Sequence, residues 1–172
     1  MEEYIHIGKI VATHGVHGEM ILLHSLKKKQ TFKNVAALFV EEVKGSHLPY
    51  FIVSTKAKST EETVVQMEGI GSKEQAKKLV GKPVWIYDKD FRRIVGTSSP
   101  IAMLGFQLYN QQEQLGKIEE VIEMPHQVLV KITYKNKEAL IPIHQETLQS
   151  IDKIKQEVHV ILPDGLLEIY AE

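Results

Sequence analysis

Two histidines, His14 and His17, stand three residues apart, each followed by a glycine, Gly15 and Gly18, with Glu19 next. Imidazole, imidazole and carboxylate within six residues can do four kinds of chemistry. As metal ligands they fall short. Zinc-binding histidine pairs sit at helical i, i+4 spacing or on paired strands with further ligands, and no fourth group is at hand. As a phosphate loop the stretch lacks the closing Lys-Ser/Thr and the helix N-terminus that would hold the anion. As a catalytic turn, alternation would put His17 and Glu19 on one side of an extended strand. Nothing nearby offers a nucleophile or a second carboxylate. As a tight bend the glycines take positive φ and the imidazoles are left exposed. Exposed histidines beside Lys9 and the run Lys27-Lys28-Lys29 can meet RNA phosphates, stack on bases, or touch a protein partner. The lysine run itself reads either as a solvated strand end or as an electrostatic footprint on nucleic acid.

The elements that must position these groups are mostly strands. Runs such as YIHIGKIVATH (4 to 14), EMILLHSL (19 to 26), VAALFVEEV (35 to 43), PYFIVSTKAKS (49 to 59), TVVQMEG (63 to 69) and PVWIYD (83 to 88) are short, β-rich and separated by turn residues. Such spacing predicts a barrel or sandwich. One segment differs. In GSKEQAKKLVGKP, Ser72 can cap a helix with Gln75 three residues on, and Ala76, Leu79 and Val80 share a face. Gly81 then suits the left-handed exit, and Pro83 forbids continuation. Trp85 and Tyr87 alternate with Val84 and Ile86, which predicts a strand buried on both faces. Alternatively, Trp85 or Tyr87 reaches the neighbouring domain or an RNA base. Residues 89–101 mix charges with Gly96, Thr97, Ser98, Ser99 and Pro100 and read as a linker. The second half alternates again, with turns expected near 110–112 and at Lys135-Asn136-Lys137, a stretch at 144–152 that is one helical turn or irregular, and a Pro163-Asp164-Gly165 turn.

Composition narrows the classes. Hydrophobic residues make up 43% and charged residues 25%, a globular balance. There is no cysteine, which excludes disulfides, thiolate catalysis and cysteine zinc sites. No apolar run reaches the ~20 residues of a spanning helix, and no secretory signal is evident at the N-terminus. The chain is therefore expected to be soluble, cytoplasmic and without a membrane partner. The net charge of −1 conceals a division: residues 1–93 carry +4 and residues 94–172 carry −5. Either chance or two surfaces with different partners would produce this. Glu119, Glu120, Glu123 and Glu138 supply much of the acidity. They form either a solvated face or one complementary to a basic protein. Leu166 and Leu167 follow the last turn and either pack on the linker or anchor a partner.

Four stretches in order carry a resemblance. IGKIVATHGVHGEMIL (7 to 22), EGIGSKEQAKKLVGKPVWI (68 to 86), MLGFQLYNQQEQLGKIEEV (103 to 121) and ALIPIHQETLQSIDKIKQEVHVILPDGLL (139 to 167) resemble successive motifs of the ribosome maturation factor RimM family. The resemblance implies an all-β chain of two β-barrels with one short helix. A six-stranded translation-factor-like barrel would occupy residues 1–90, a linker 91–101 and a PRC barrel 102–172. It implies no enzyme and no cofactor. It implies association with the free small (30S) ribosomal subunit, binding of small-subunit ribosomal protein nineteen chiefly through the PRC barrel, and assistance to 16S rRNA processing and head maturation. The 16S rRNA is a further candidate partner, and the chain is expected to be a monomer. RNA or ribosome contacts are then assigned to Lys9, His14, His17, Lys27, Lys28 and Lys29. Ribosomal-protein contacts are assigned to Ile101, Phe106, Tyr109, Glu119, Glu120, Leu166 and Leu167. Where family members often carry a Tyr-Tyr pair, this chain has Ser98-Ser99-Pro100-Ile101. The aromatic contact is thus missing or supplied by Phe106 or Tyr109. Two other classes stay open: a protein-interaction module without RNA contact, and a histidine-based metal-dependent enzyme.

Overall fold

A computed structural model of the chain describes residues 3–96 and 99–171. The chain divides into two compact units, Met1–Val95 and Gly96–Glu172.

The first unit is a closed six-stranded barrel. Strands β1 (Tyr4–His14), β2 (Glu19–His24), β3 (Ala37–Val40), β4 (Leu48–Ala57), β5 (Glu62–Met67) and β6 (Pro83–Tyr87) close in the order β1-β2-β5-β4-β3-β6. Closure leaves no unpaired edge. Its interior is filled from alternate positions: Met20 and Leu22 of β2, Val65 and Met67 of β5, and Val84 and Ile86 of β6 are all essentially inaccessible. In β1 the buried set runs Ile5, Ile7, then Ile10. The parity changes because the pairing with β6 shifts between His6 and Gly8, a bulge that adds one residue. Trp85 and Tyr87 do not enter the core. They point outward, half-buried, where Tyr87 packs on Tyr4 and Phe39, and Trp85 on His6 and His47, at centroid separations of 4.6–5.5 Å.

Helix α1 (Lys73–Lys77) starts as its sequence signals. The Ser72 hydroxyl accepts from the Gln75 amide at 3.2 Å, and the Gln75 side chain accepts from the Gly71 amide at 2.8 Å. It ends earlier than the apolar spacing predicts. Ala76 and Leu79 are buried, but Val80 lies past the helix and is exposed.

The expectation of one short helix is corrected. Residues 91–95, expected in a linker, complete a second helix, α2 (Asp88–Val95). Phe91 and Val95 are buried along it, and ion pairs Arg92–Asp88 at 2.9 Å and Arg93–Asp90 at 2.8 Å span its turns. A single 3-10 turn follows at Pro100–Met103, and a terminal helix, α3, at Glu168–Ala171.

The second unit holds two sheets. Strands β9 (Glu120–Met124), β10 (Gln127–Tyr134) and β11 (Lys137–Ile143) form an antiparallel sheet in the order β11-β10-β9. Strands β7 (Gln107–Asn110), β8 (Glu113–Lys117), β12 (Leu148–Asp152) and β13 (Glu157–Val160) form the other in the order β12-β13-β7-β8, with β13 parallel to β7. The stretch 144–152 is thus a turn leading into β12. Lys135 and Asn136 both have positive φ, 49° and 69°, which suits the two-residue turn between β10 and β11.

One buried histidine makes the first unit acid-sensitive. His24 is 4% exposed; its Nδ1 accepts from the Leu26 amide, and its Nε2 has no hydrogen-bond partner among the described residues. Burial pushes its pKa below the ordinary 6.5, with the Glu61 carboxylate pulling weakly the other way. The folded chain therefore binds fewer protons than the unfolded one. The stability this group contributes is whole above about pH 6.5 and declines as pH falls below it. Denaturant unfolding at pH 7.5 and 5.5 should show lower stability at 5.5. His24→Asn, which keeps an acceptor for Leu26, should reduce that difference.

Candidate functional site

The turn carrying His14 and His17 is fixed from beneath. His14 pairs with Glu19 across β1 and β2, and the residues between them form a turn. His17 and Glu19 are therefore not neighbours on an extended strand, contrary to the expected alternation. Gly18 has φ +96°, and a Cβ there would lie 2.2 Å from the Ile70 carbonyl oxygen, so only glycine fits. The Gln66 side-chain Nε2 donates to the His17 carbonyl at 2.9 Å, and the Lys73 backbone amide donates to the Val16 carbonyl at 3.2 Å. The turn is thus pinned to β5 and to the start of α1. Both imidazoles and Val16 face solvent. Among the described residues no three His, Asp or Glu side chains are grouped to hold a metal ion.

Lys9 is exposed on β1. The lysine run is not uniform. Lys27 has φ +66°, and its side chain and that of Lys29 are exposed. Lys28 donates to the Ile94 carbonyl at 2.8 Å, at the C-terminal end of α2. A cation there satisfies an orphan carbonyl and meets the negative end of the helix dipole. Lys28→Gln should therefore lower stability by about 0.3–1 kcal/mol in denaturant unfolding, whereas Lys27→Gln and Lys29→Gln should leave it unchanged. Tests of nucleic-acid contact are cleaner at those two.

The acidic side chains converge on the three-stranded sheet of the second unit. Along β10, Val130 and Ile132 are buried, so Leu129, Lys131 and Thr133 face the other way. Register places Ile122 opposite Leu129, Glu120 opposite Lys131, and Glu138 opposite Thr133, with Leu140 and Pro142 continuing along β11. Lys131 pairs with Glu120 at 3.1 Å and with Glu138 at 3.7 Å. Hydrogen bonding to Glu120 raises the Lys131 pKa, so the ammonium stays charged. Glu119 accepts from the Thr133 hydroxyl at 3.0 Å. The outer face is therefore an apolar strip of Ile122, Met124, Leu129, Leu140 and Pro142 beside three carboxylates around one ammonium. Met124 and Leu140 are 46% and 38% exposed.

Residues 5–91 match the family model described as the RimM N-terminal domain, and residues 101–166 match the RimM PRC barrel domain. The chain belongs to the RimM family. The ribosome maturation factors RimM of Parabacteroides distasonis and Ruminiclostridium cellulolyticum are each 28% identical to it over 171 residues. The alignments cover 98% of this chain and 98% and 100% of the respective relatives. A RimM crystal structure from Pseudomonas aeruginosa aligns with TM-score 0.43 at 18% identity, over 94% of this chain and 98% of that one.

The remaining partner candidates of this RimM-family chain separate by burial. Ile101 and Phe106 are 3% and 5% exposed. They are core residues and offer no side-chain surface to a partner, which corrects their assignment as contacts. Tyr109 is half-buried and stacks on His159 at 5.0 Å, with His159 held by Glu157 at 3.0 Å. Leu166 and Leu167 are half-buried, Leu167 lining a cleft of about 230 Å³ with Glu113, Tyr134, Asp164 and Glu168. Ser98, in the place of the family's tyrosine pair, lies outside the described residues. Sequence reasoning missed Ile122, Met124, Leu129 and Leu140. Their alternation is visible, but it does not say which face is left uncovered.

Proposed function

We propose that this chain is an assembly factor for the small ribosomal subunit that acts by binding rather than by catalysis. In this reading it assists 16S rRNA processing and head maturation, as a monomer in the cytoplasm. The observation that carries the proposal is the outer face of the β9–β10–β11 sheet. An apolar strip beside Glu119, Glu120 and Glu138 suits a basic protein with an apolar contact of its own. Small-subunit ribosomal protein nineteen is the partner the family resemblance implies. Apolar contact would supply affinity, and the carboxylates would steer and orient the basic partner. Lys131 balances part of the charge and keeps the carboxylates apart. The first unit, with its basic surplus, would lie toward rRNA.

The test is sedimentation of lysate on a sucrose gradient with the chain followed by immunoblot. Co-migration with free small subunits and not with assembled ribosomes is expected. Glu119→Lys, Glu120→Lys and Glu138→Lys together should shift the chain to the light fractions while its unfolding temperature stays within a few degrees. A parent chain confined to light fractions in low salt would end this reading.

A further inference from the structure

Strand β4 shows an anomaly that barrel packing does not explain. Phe51 and Val53 are 52% and 59% exposed on its outer side. The pairing of β4 with β5 shifts between Ile52 and Ser54, so Val53 sits at a bulge, with Gln66 of β5 opposite Ser54. Gln66 is the residue that donates to the His17 carbonyl, and the Glu68 amide donates to the Phe51 carbonyl at 2.8 Å. In the next strand, Met20 pairs with Val65, which sets Glu19 beside Gln66, and Glu19 pairs with His14. One surface therefore runs across four strands from His14 through Glu19 and Gln66 to Val53 and Phe51. His17 and Val16, the latter 62% exposed, lie on the turn that the Gln66 side chain holds to this surface.

The chemistry of this surface is a ring, two imidazoles and a rigid turn, in the half of the chain that carries +4. Lys56 of β4 and Lys73 of α1 are exposed at its margins, against Glu19 and Glu68. An aromatic face gains from any unpaired base, because every base has a π-face, and surrounding cations follow the backbone phosphates. A duplex hides its bases and cannot use Phe51. We infer that the outer face of β4 and β5 with the His14–Gly18 turn is a binding site for an unpaired RNA segment, with one base stacked on Phe51. This rests on the ribosomal reading above and gives the rRNA side of it a ligand class.

The test uses the full chain and a fluorescein-labelled oligouridylate of about 12 nucleotides, within the ~4–16-nucleotide footprints of barrel binders. Fluorescence anisotropy should show salt-sensitive binding. Phe51→Ala should weaken it about 5- to 150-fold, the loss of roughly one base stack, and Phe51→Trp should restore it. Because Phe51 is exposed, both variants should unfold at the parent temperature. Duplex RNA of equal length should compete poorly. Equal binding by the parent and Phe51→Ala, or equal competition by duplex, overturns the proposal. So does a Phe51→Ala variant that binds RNA normally but leaves small-subunit fractions, which would mark a protein contact. A parent chain that binds the oligonucleotide through Phe51 yet never sediments with small subunits would uphold this site and remove the assembly-factor reading.

Discussion

Phe91→Ala should destabilise the first unit by about 3–5 kcal/mol, the range for removing a fully buried aromatic side chain. The side chain is 0% exposed on α2, and the Arg92 guanidinium lies 4.9 Å from its ring centroid. Truncation removes the ring from the core and leaves a void that a barrel closed on itself has little freedom to fill. For a unit of this size the melting temperature should fall by about 12 °C or more. Phe91→Leu keeps most of the volume and should lose much less. Differential scanning calorimetry of the full chain measures both, and the transition that moves should be that of the first unit. A linker residue would show no effect, so an unchanged first transition in Phe91→Ala would return residues 91–95 to the linker.

That helix was legible in part. Asp88–Arg92 at i, i+4 and Asp90–Arg93 at i, i+3 stand in the sequence, as do Phe91 and Val95 one turn apart. The Gly-Thr-Ser-Ser-Pro run behind them makes the whole segment read as a linker. Where a local signal has one structural solution, the sequence spoke plainly. Ser72 with Gln75 began a helix, Lys135-Asn136 made a two-residue turn, and the glycine-bounded bend at 15–18 left two imidazoles in solvent. Global effects were less visible. The switch from Ile7 to Ile10 in β1 depends on a bulge that pairing creates, and Val80 lost its helical face because α1 stops at Lys77. The site was the least legible part. Ile101 and Phe106 are apolar residues near a boundary, and such residues are core far more often than contact. Ile122, Leu129 and Leu140 alternate as core residues do, and only the packed sheet shows that their face is outward. Phe51 and Val53 are hidden in the sequence for the same reason.

The bulge in β1 leads to the second large effect. Gly8→Ala should destabilise the first unit by about 3 kcal/mol or more, through overpacking against atoms that cannot move aside. A Cβ on Gly8 would lie 1.8 Å from the Leu23 carbonyl oxygen and 2.9 Å from the His24 Cα, all of it backbone. Gly8 lacks the positive φ of Gly18, so the obstacle is close approach and not backbone conformation. Relief requires β1 to withdraw from β2. Gly8 pairs with His24 on that side and with Val84 on the other, so withdrawal disturbs two ladders at once. It also disturbs the bond from the Ser25 amide to the Ile7 carbonyl at 2.9 Å. In Gly8→Ala, hydrogen exchange should speed up first at the amides of β1 and β2 around residues 7–10 and 22–25. The amides of the β9–β10–β11 sheet should keep their parent rates. A variant with parent exchange rates throughout would mean that β1 and β2 do not approach at Gly8 as closely as their pairing requires.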